Sequence, residues 1–140
     1  AATEVTVGMP PAKLGLVYSH VGVQRFLDVI GAARTRELFL LGRNIPVEQA
    51  LDWGLVNWVV APEQLESRSL EVAREVAATA PLSLQGNKRV IGELMSARRT
   101  LSAETEDALT QLRLACFASE DFREGQRAFA EKRAPRWQGR

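Results

Sequence analysis

From Pro62 to the C-terminus the apolar residues recur at helical spacing, so more than half of the 140-residue chain is committed to helices that each bury one face. Leu65, Val72, Ala73, Val76, Ala77 and Ala80 fall on one stripe. Pro81 opens a second helix with Val90, Ile91, Leu94 and Met95 on its apolar side. Ser102 is a natural cap for a third, where Glu104, Glu106 and Asp107 suit the positive end of a helix. That helix is expected to bury Ala108, Leu109, Leu112 and Cys116. Ser119 caps the last, which runs through Phe122, Gly125 and Phe129 to Lys132.

The first 61 residues read differently. Val5 and Val7 alternate with polar neighbours as in a short strand. Pro10 and Pro11 then impose extended or turn backbone. A helix is expected from Ser19 to about Ile30 with Gly31 as its stop, a second over Ala32–Leu41 ended by Gly42, and a short third from Pro46 to Gly54. Leu55–Val60, LVNWVV, is rich in β-formers and predicts a strand. A boundary between residues 1–61 and 62–140 follows, with an α/β part first and a helical part second.

Charge and cysteine content narrow the class. A formal net charge of +1 aims no strong field at nucleic acid or an anionic membrane, and no apolar run reaches membrane-spanning length. The expected partners therefore include no nucleic acid and no membrane. One cysteine forms no intrachain disulfide, and a cytoplasmic setting is expected. The chain opens AATEVTVG, without methionine and already in strand-like alternation, as a processed chain or a piece of a longer protein would.

The residues that carry chemistry concentrate in GMPPAKLGLVYSHVGVQRF, Gly8–Phe26. It contains the only tyrosine, Tyr18, and the only histidine, His20, yet no carboxylate before Asp28. Tyr18 is either a half-buried ring whose hydroxyl meets a backbone group or a hydrogen-bond donor to substrate. His20 is either a capping or surface residue or an acid/base. Cys116, on an apolar stripe, reads as a packing residue, and Trp53 and Trp58 as core.

Four stretches, KLGLVYSHVGVQRF, TRELFLLGRNIPVEQALDWGLVNWVV, APLSLQGNKRVI and CFASEDFREGQRAFAEKRAPRWQG, occur in that order. Together they resemble the C-terminal half of the crotonase superfamily, the enoyl-CoA hydratase/isomerase group, over essentially the whole chain. The resemblance implies an α/β crotonase-like spiral of ββα turns, here a mostly helical fragment with a C-terminal helical trimerisation region. It implies an acyl-CoA thioester as substrate, with CoA part of the substrate and neither a further cofactor nor a metal. It implies a homo-oligomer, trimer or hexamer. The shared chemistry stabilises a thioester enolate with two backbone N–H donors. By the resemblance these belong to an N-terminal half upstream of residue 1, so the chain is expected to need that half and to be inert alone.

The resemblance also places residues. The hydratase glutamate that follows a proline, four residues before the Leu-Gly glycine, falls on Pro11, which has no titratable group. Another acid of the superfamily, that of the dienoyl-CoA isomerases, falls on Ser19. Pro11, Leu14, Gly15, Tyr18, Gly22 and Val23 instead match the spacing Pro-x-x-Leu-Gly-x-x-Tyr-x-x-x-Gly-Val of the methylmalonyl-CoA decarboxylases of this superfamily. Tyr18 and His20 are thus the candidate catalytic residues. Phe129 and Lys132 are candidates for CoA adenine and phosphate, against the alternative that Lys132 and Arg133 merely complement a helix end. Three expectations stand: one part of a hydratase/isomerase-type or decarboxylating acyl-CoA enzyme, a non-catalytic assembly or binding module, and an unrelated helical interaction domain.

Overall fold

A computed structural model of the chain describes residues 1–97 and 101–140. Strand β1 (Thr6–Gly8) pairs antiparallel with β2 (Asn44–Pro46), placing Val7 opposite Ile45. Between them lie a 3-10 turn (Pro11–Leu14), helix α1 (His20–Arg36) and a π-helical turn (Glu37–Leu41). Ser19 caps α1 as expected, accepting the Gly22 N–H at 3.2 Å. Gly31, at φ 74° and ψ 173°, breaks the helical backbone in the middle of α1, a conformation open to glycine at little cost. Leu38, in the π-helical turn that follows, is fully buried. Helix α2 (Val47–Asp52) follows β2 directly.

Ile30, Leu38, Ile45, Ala50 and Trp53 form the core, with Val7, Met9, Phe26, Phe39, Leu55 and Val56 packed around it. Trp53 is buried there with the Arg34 guanidinium over its ring, but Trp58 is 52% exposed and lies outside the core. LVNWVV is not a strand. Only Val60 pairs, in an isolated parallel bridge to Ala2, because β propensity needs a neighbouring ladder and the described residues bring only Ala1–Thr3 alongside.

The remaining helices are α3 (Leu65–Ala77), α4 (Pro81–Ala97), α5 (Ala103–Ala118) and α6 (Glu120–Ala130). Ser102 and Ser119 cap α5 and α6 through the Thr105 and Phe122 N–H groups. The expected burial of the α5 stripe fails: Ala108 is exposed, Leu112 is 55% exposed, and Leu109 and Cys116 are half-buried. The C-terminal end of α5 is tied to the rest of the fold through Cys116, and Ala108 and Leu112 stay exposed among the described residues. Leu82, Val90, Ile91 and Leu94 of α4 are likewise exposed, Leu82 at 83%. Among the described residues no helix is long and apolar enough to cross a membrane.

Candidate active-site cleft

The Pro-Pro pair builds the turn on which the site rests. Pro11 occupies the first turn position, where its missing N–H is not needed, and its carbonyl accepts the Leu16 N–H at 3.0 Å. Gly15 leaves the turn in the left-handed region at φ 66°. The turn is held from a hundred residues away. A Cβ on Gly15 would lie 2.6 Å from the Asp121 carbonyl oxygen, and one on Gly125 would lie 2.5 Å from the Leu14 carbonyl oxygen, so turn and α6 meet backbone to backbone. The Cys116 thiol donates to the Gly15 carbonyl at 3.0 Å, which makes Cys116 a packing and tethering residue.

On one side of this turn lies a cleft of about 530 Å³ whose lining includes Pro11, Ala12, Tyr18, Thr35, Arg36 and Phe39. Pro11 and Tyr18 therefore face the same space. No carboxylate and no imidazole lines it. The Tyr18 ring is 38% exposed and packs at 5.5 Å against Phe39. The Tyr18 hydroxyl has no partner among the described residues, so it is not tied to a backbone group. His20 is the first residue of α1, half-buried, and is not among the cleft-lining residues. Ser19 is engaged as a cap.

A second cleft, of about 500 Å³, opens on the other side of the turn between Pro10, Lys13 and Leu14 and the end of α6, with Phe129, Arg133 and Pro135. Phe129 is 77% exposed there. Lys132 is not part of this lining. It sits at φ 53° in the left-handed position that closes α6, where the Lys132 N–H bonds the Phe129 carbonyl at 3.2 Å and the Arg133 N–H the Ala128 carbonyl at 3.0 Å. Glycine or asparagine usually fills that position. The structure thus brings Phe129 and Lys132 to one helix end and Tyr18 and Pro11 to one cleft, and separates the two pairs by the 3-10 turn.

Sequence reasoning missed Glu124. Its carboxylate receives both terminal nitrogens of Arg133, at 2.6 and 3.0 Å, and the Arg136 N–H at 2.9 Å. Hydrogen bonds from Arg133, then from Arg136, hold the Glu124 carboxyl well below the ordinary range, at about 2, against a partial desolvation that opposes them. The Arg133 guanidinium is correspondingly raised by Glu124 and Glu131. Asp121 in turn accepts the Gln138 and Gly139 N–H groups at 2.6 and 2.8 Å. Both carboxylates lie in SEDFREGQ, within the last of the four stretches that carry the resemblance.

Comparison with known proteins gives the family. The enoyl-CoA hydratase/isomerase family model matches residues 1–140, and the chain belongs to that family. Carnitinyl-CoA dehydratase from Escherichia coli (strain K12) is 34% identical over 146 residues, covering 99% of this chain and 54% of the relative. A solved structure of methylmalonyl-CoA decarboxylase complexed with 2S-carboxypropyl-CoA superimposes with a TM-score of 0.90 at 33% identity, over 100% of this chain and 53% of that one. A carnitinyl-CoA hydratase structure from Mycobacterium avium gives 0.83 at 32% identity, with 100% and 54% covered. The chain thus spans about half the length of the relatives it matches. It has the crotonase-superfamily fold over that share and is mostly helical.

Proposed function

We propose that the chain forms one wall of a cytoplasmic acyl-CoA enzyme in which a thioester enolate is made by decarboxylation of a malonyl-type CoA thioester. The observation that carries this reading is the cleft shared by Pro11 and Tyr18, which presents a hydroxyl but no carboxylate or imidazole. Hydration, dehydration and isomerisation need a group that moves a proton at carbon. Decarboxylation needs none to reach the enolate. The bond between the α-carbon and the carboxylate breaks, its electron pair passes into the thioester carbonyl, carbon dioxide leaves, and the α-carbon then takes a proton from solvent. The Tyr18 hydroxyl donates to the leaving carboxylate and holds it out of the thioester plane, where the breaking bond overlaps the carbonyl π system.

In this reading the oxyanion donors come from a segment outside these residues, and the CoA moiety lies along the end of α6, its adenine on Phe129 and an anionic phosphate near Lys132. The exposed stripes of α4 and α5 are the surfaces that assemble copies into a trimer or hexamer. The 34% identity to carnitinyl-CoA dehydratase supports a second reading, dehydration with the acid supplied from elsewhere in the enzyme.

The test assays the complete enzyme on methylmalonyl-CoA, crotonyl-CoA and carnitinyl-CoA, with Tyr18→Phe beside it. Loss of one donor to a charged group costs about 1.5–3 kcal/mol, or roughly one to two decades in the decarboxylation rate. Fast turnover of crotonyl-CoA or carnitinyl-CoA, unaffected by Tyr18→Phe, overturns the decarboxylase reading.

A further inference from the structure

We infer that Gly22 and Phe39 are positioning residues for Tyr18, restricting its ring through two separate contacts so that the hydroxyl has one direction in the cleft. The inference rests on the reading of Tyr18 as a substrate donor and extends it to residues that touch no substrate. The first observation is a close approach. A Cβ on Gly22 would overlap the Tyr18 ring edge, with Cδ1 at 2.8 Å, and would press on the Ser19 hydroxyl at 3.0 Å. Tyr18, just before the capping residue, folds back over the first turn of α1, and only a residue without a side chain leaves room for it there. The second observation is a ring contact. Phe39, from the π-helical turn after the Gly31 break, packs on the Tyr18 ring at a centroid distance of 5.5 Å and an interplanar angle of 59°. Phe39 is itself fixed edge-to-face by Phe26 at 5.1 Å and 81°. Aromatic pairs at these separations and tilts are favourable.

The arrangement meets the requirement for catalysis by a single hydrogen bond, which has value only if the donor is aimed before the charge develops. Tyr18 is 38% exposed and finds no hydroxyl partner among the described residues, so its aim comes from ring packing alone. Gly22 takes no left-handed backbone and lies within α1, so its lack of a side chain is not required by conformation. Alanine is a better helix former than glycine, and a loss of activity in Gly22→Ala has no source in helix propensity.

The experiment compares Tyr18→Phe, Gly22→Ala, Phe39→Leu and the double variant Tyr18→Phe/Gly22→Ala in the complete enzyme, with methylmalonyl-CoA as substrate. Each variant is also prepared, where Tyr18 is retained, with 3-fluorotyrosine confined to this chain, where it labels Tyr18 alone. Gly22→Ala is expected to lower kcat about 10- to 100-fold with KM within twofold, to shift the fluorine resonance, and to add nothing to Tyr18→Phe. Phe39→Leu, which introduces no overlap, is expected to broaden or split that resonance and to lower kcat less. A Gly22→Ala enzyme with unchanged kcat and resonance overturns the inference, as does a double variant whose loss is the product of the two single losses. If Tyr18→Phe retains full activity while Gly22→Ala still moves the resonance, the catalytic reading of Tyr18 fails and the positioning contact stands.

Discussion

Leu14 and Gly125 meet backbone to backbone: a Cβ on Gly125 would stand 2.5 Å from the Leu14 carbonyl oxygen and 2.7 Å from its carbonyl carbon. This contact fixes the height of the 3-10 turn above α6, and the turn is the partition between the two clefts. Pro11 and Ala12 face one side, and Pro10, Lys13 and Leu14 the other.

Gly125→Ala is therefore expected to destabilise the fold by about 1–3 kcal/mol, the usual range for overpacking a rigid contact. Backbone cannot swing aside as a flexible side chain does. Chemical denaturation of the variant beside the parent protein measures it, and a change within 0.5 kcal/mol contradicts the contact.

Lys132→Gly is expected to move stability and affinity in opposite directions. Glycine relieves the left-handed backbone at φ 53° and stabilises by about 1 kcal/mol. Removing the cation weakens acyl-CoA binding by the complete enzyme by about tenfold, the lower end for a charged hydrogen bond. A thermal melt and a binding titration read the two effects separately. Gain of stability without loss of affinity would leave Lys132 as a helix-end residue only.

The Glu124 anchor carries its own pH dependence. Its carboxyl is depressed to about 2 in the folded chain from an ordinary value of 4.5. A depressed acid contributes its full stabilisation above the unfolded value and loses it as the pH falls through the folded one. The segment around Arg133 and Arg136 is thus expected to stay docked on α6 down to about pH 4.5 and to release progressively between there and about pH 2. Carbon-detected NMR of the Glu124 carboxyl follows the titration directly. Glu124→Gln is expected to leave the segment loosely held at neutral pH as well, visible as faster tryptic cleavage after Arg133 and Arg136.

His20→Ala is expected to leave turnover of the complete enzyme within about twofold, since the imidazole does not line the cleft that contains Tyr18. A loss of a decade or more, with a changed pH profile, assigns the final protonation to His20 rather than to solvent.

The parts that were legible in the sequence are those governed by local chemistry. Ser19, Ser102 and Ser119 cap the helices read from them, because a cap needs only its own next three residues. Gly31 breaks α1 where the pattern stopped. What was not legible depended on distant partners. Among the described residues LVNWVV has strand residues but only the Ala2–Val60 bridge alongside, and Leu112 lies on a helical stripe that stays exposed. The Glu124–Arg133 pair joins residues nine apart in sequence, beyond the three- or four-residue spacing of neighbours on one helix face. Only the reversal of the chain after Lys132 brings Arg133 and the Arg136 N–H onto one carboxylate.

The clasp between Leu14 and Gly125 also has a timetable. Its two ends are about 110 residues apart, so during synthesis at roughly 5–20 residues per second the loop carrying Tyr18 precedes its support by on the order of 5–20 s. Over that interval the strand pair and α1 can fold on the ribosome, while the turn beneath the cleft has nothing to lean on. Both clefts therefore take their final shape late in translation, when α6 emerges. Stalled nascent chains that end before Gly125 should show the core protected and the Pro11–Leu14 turn open to protease.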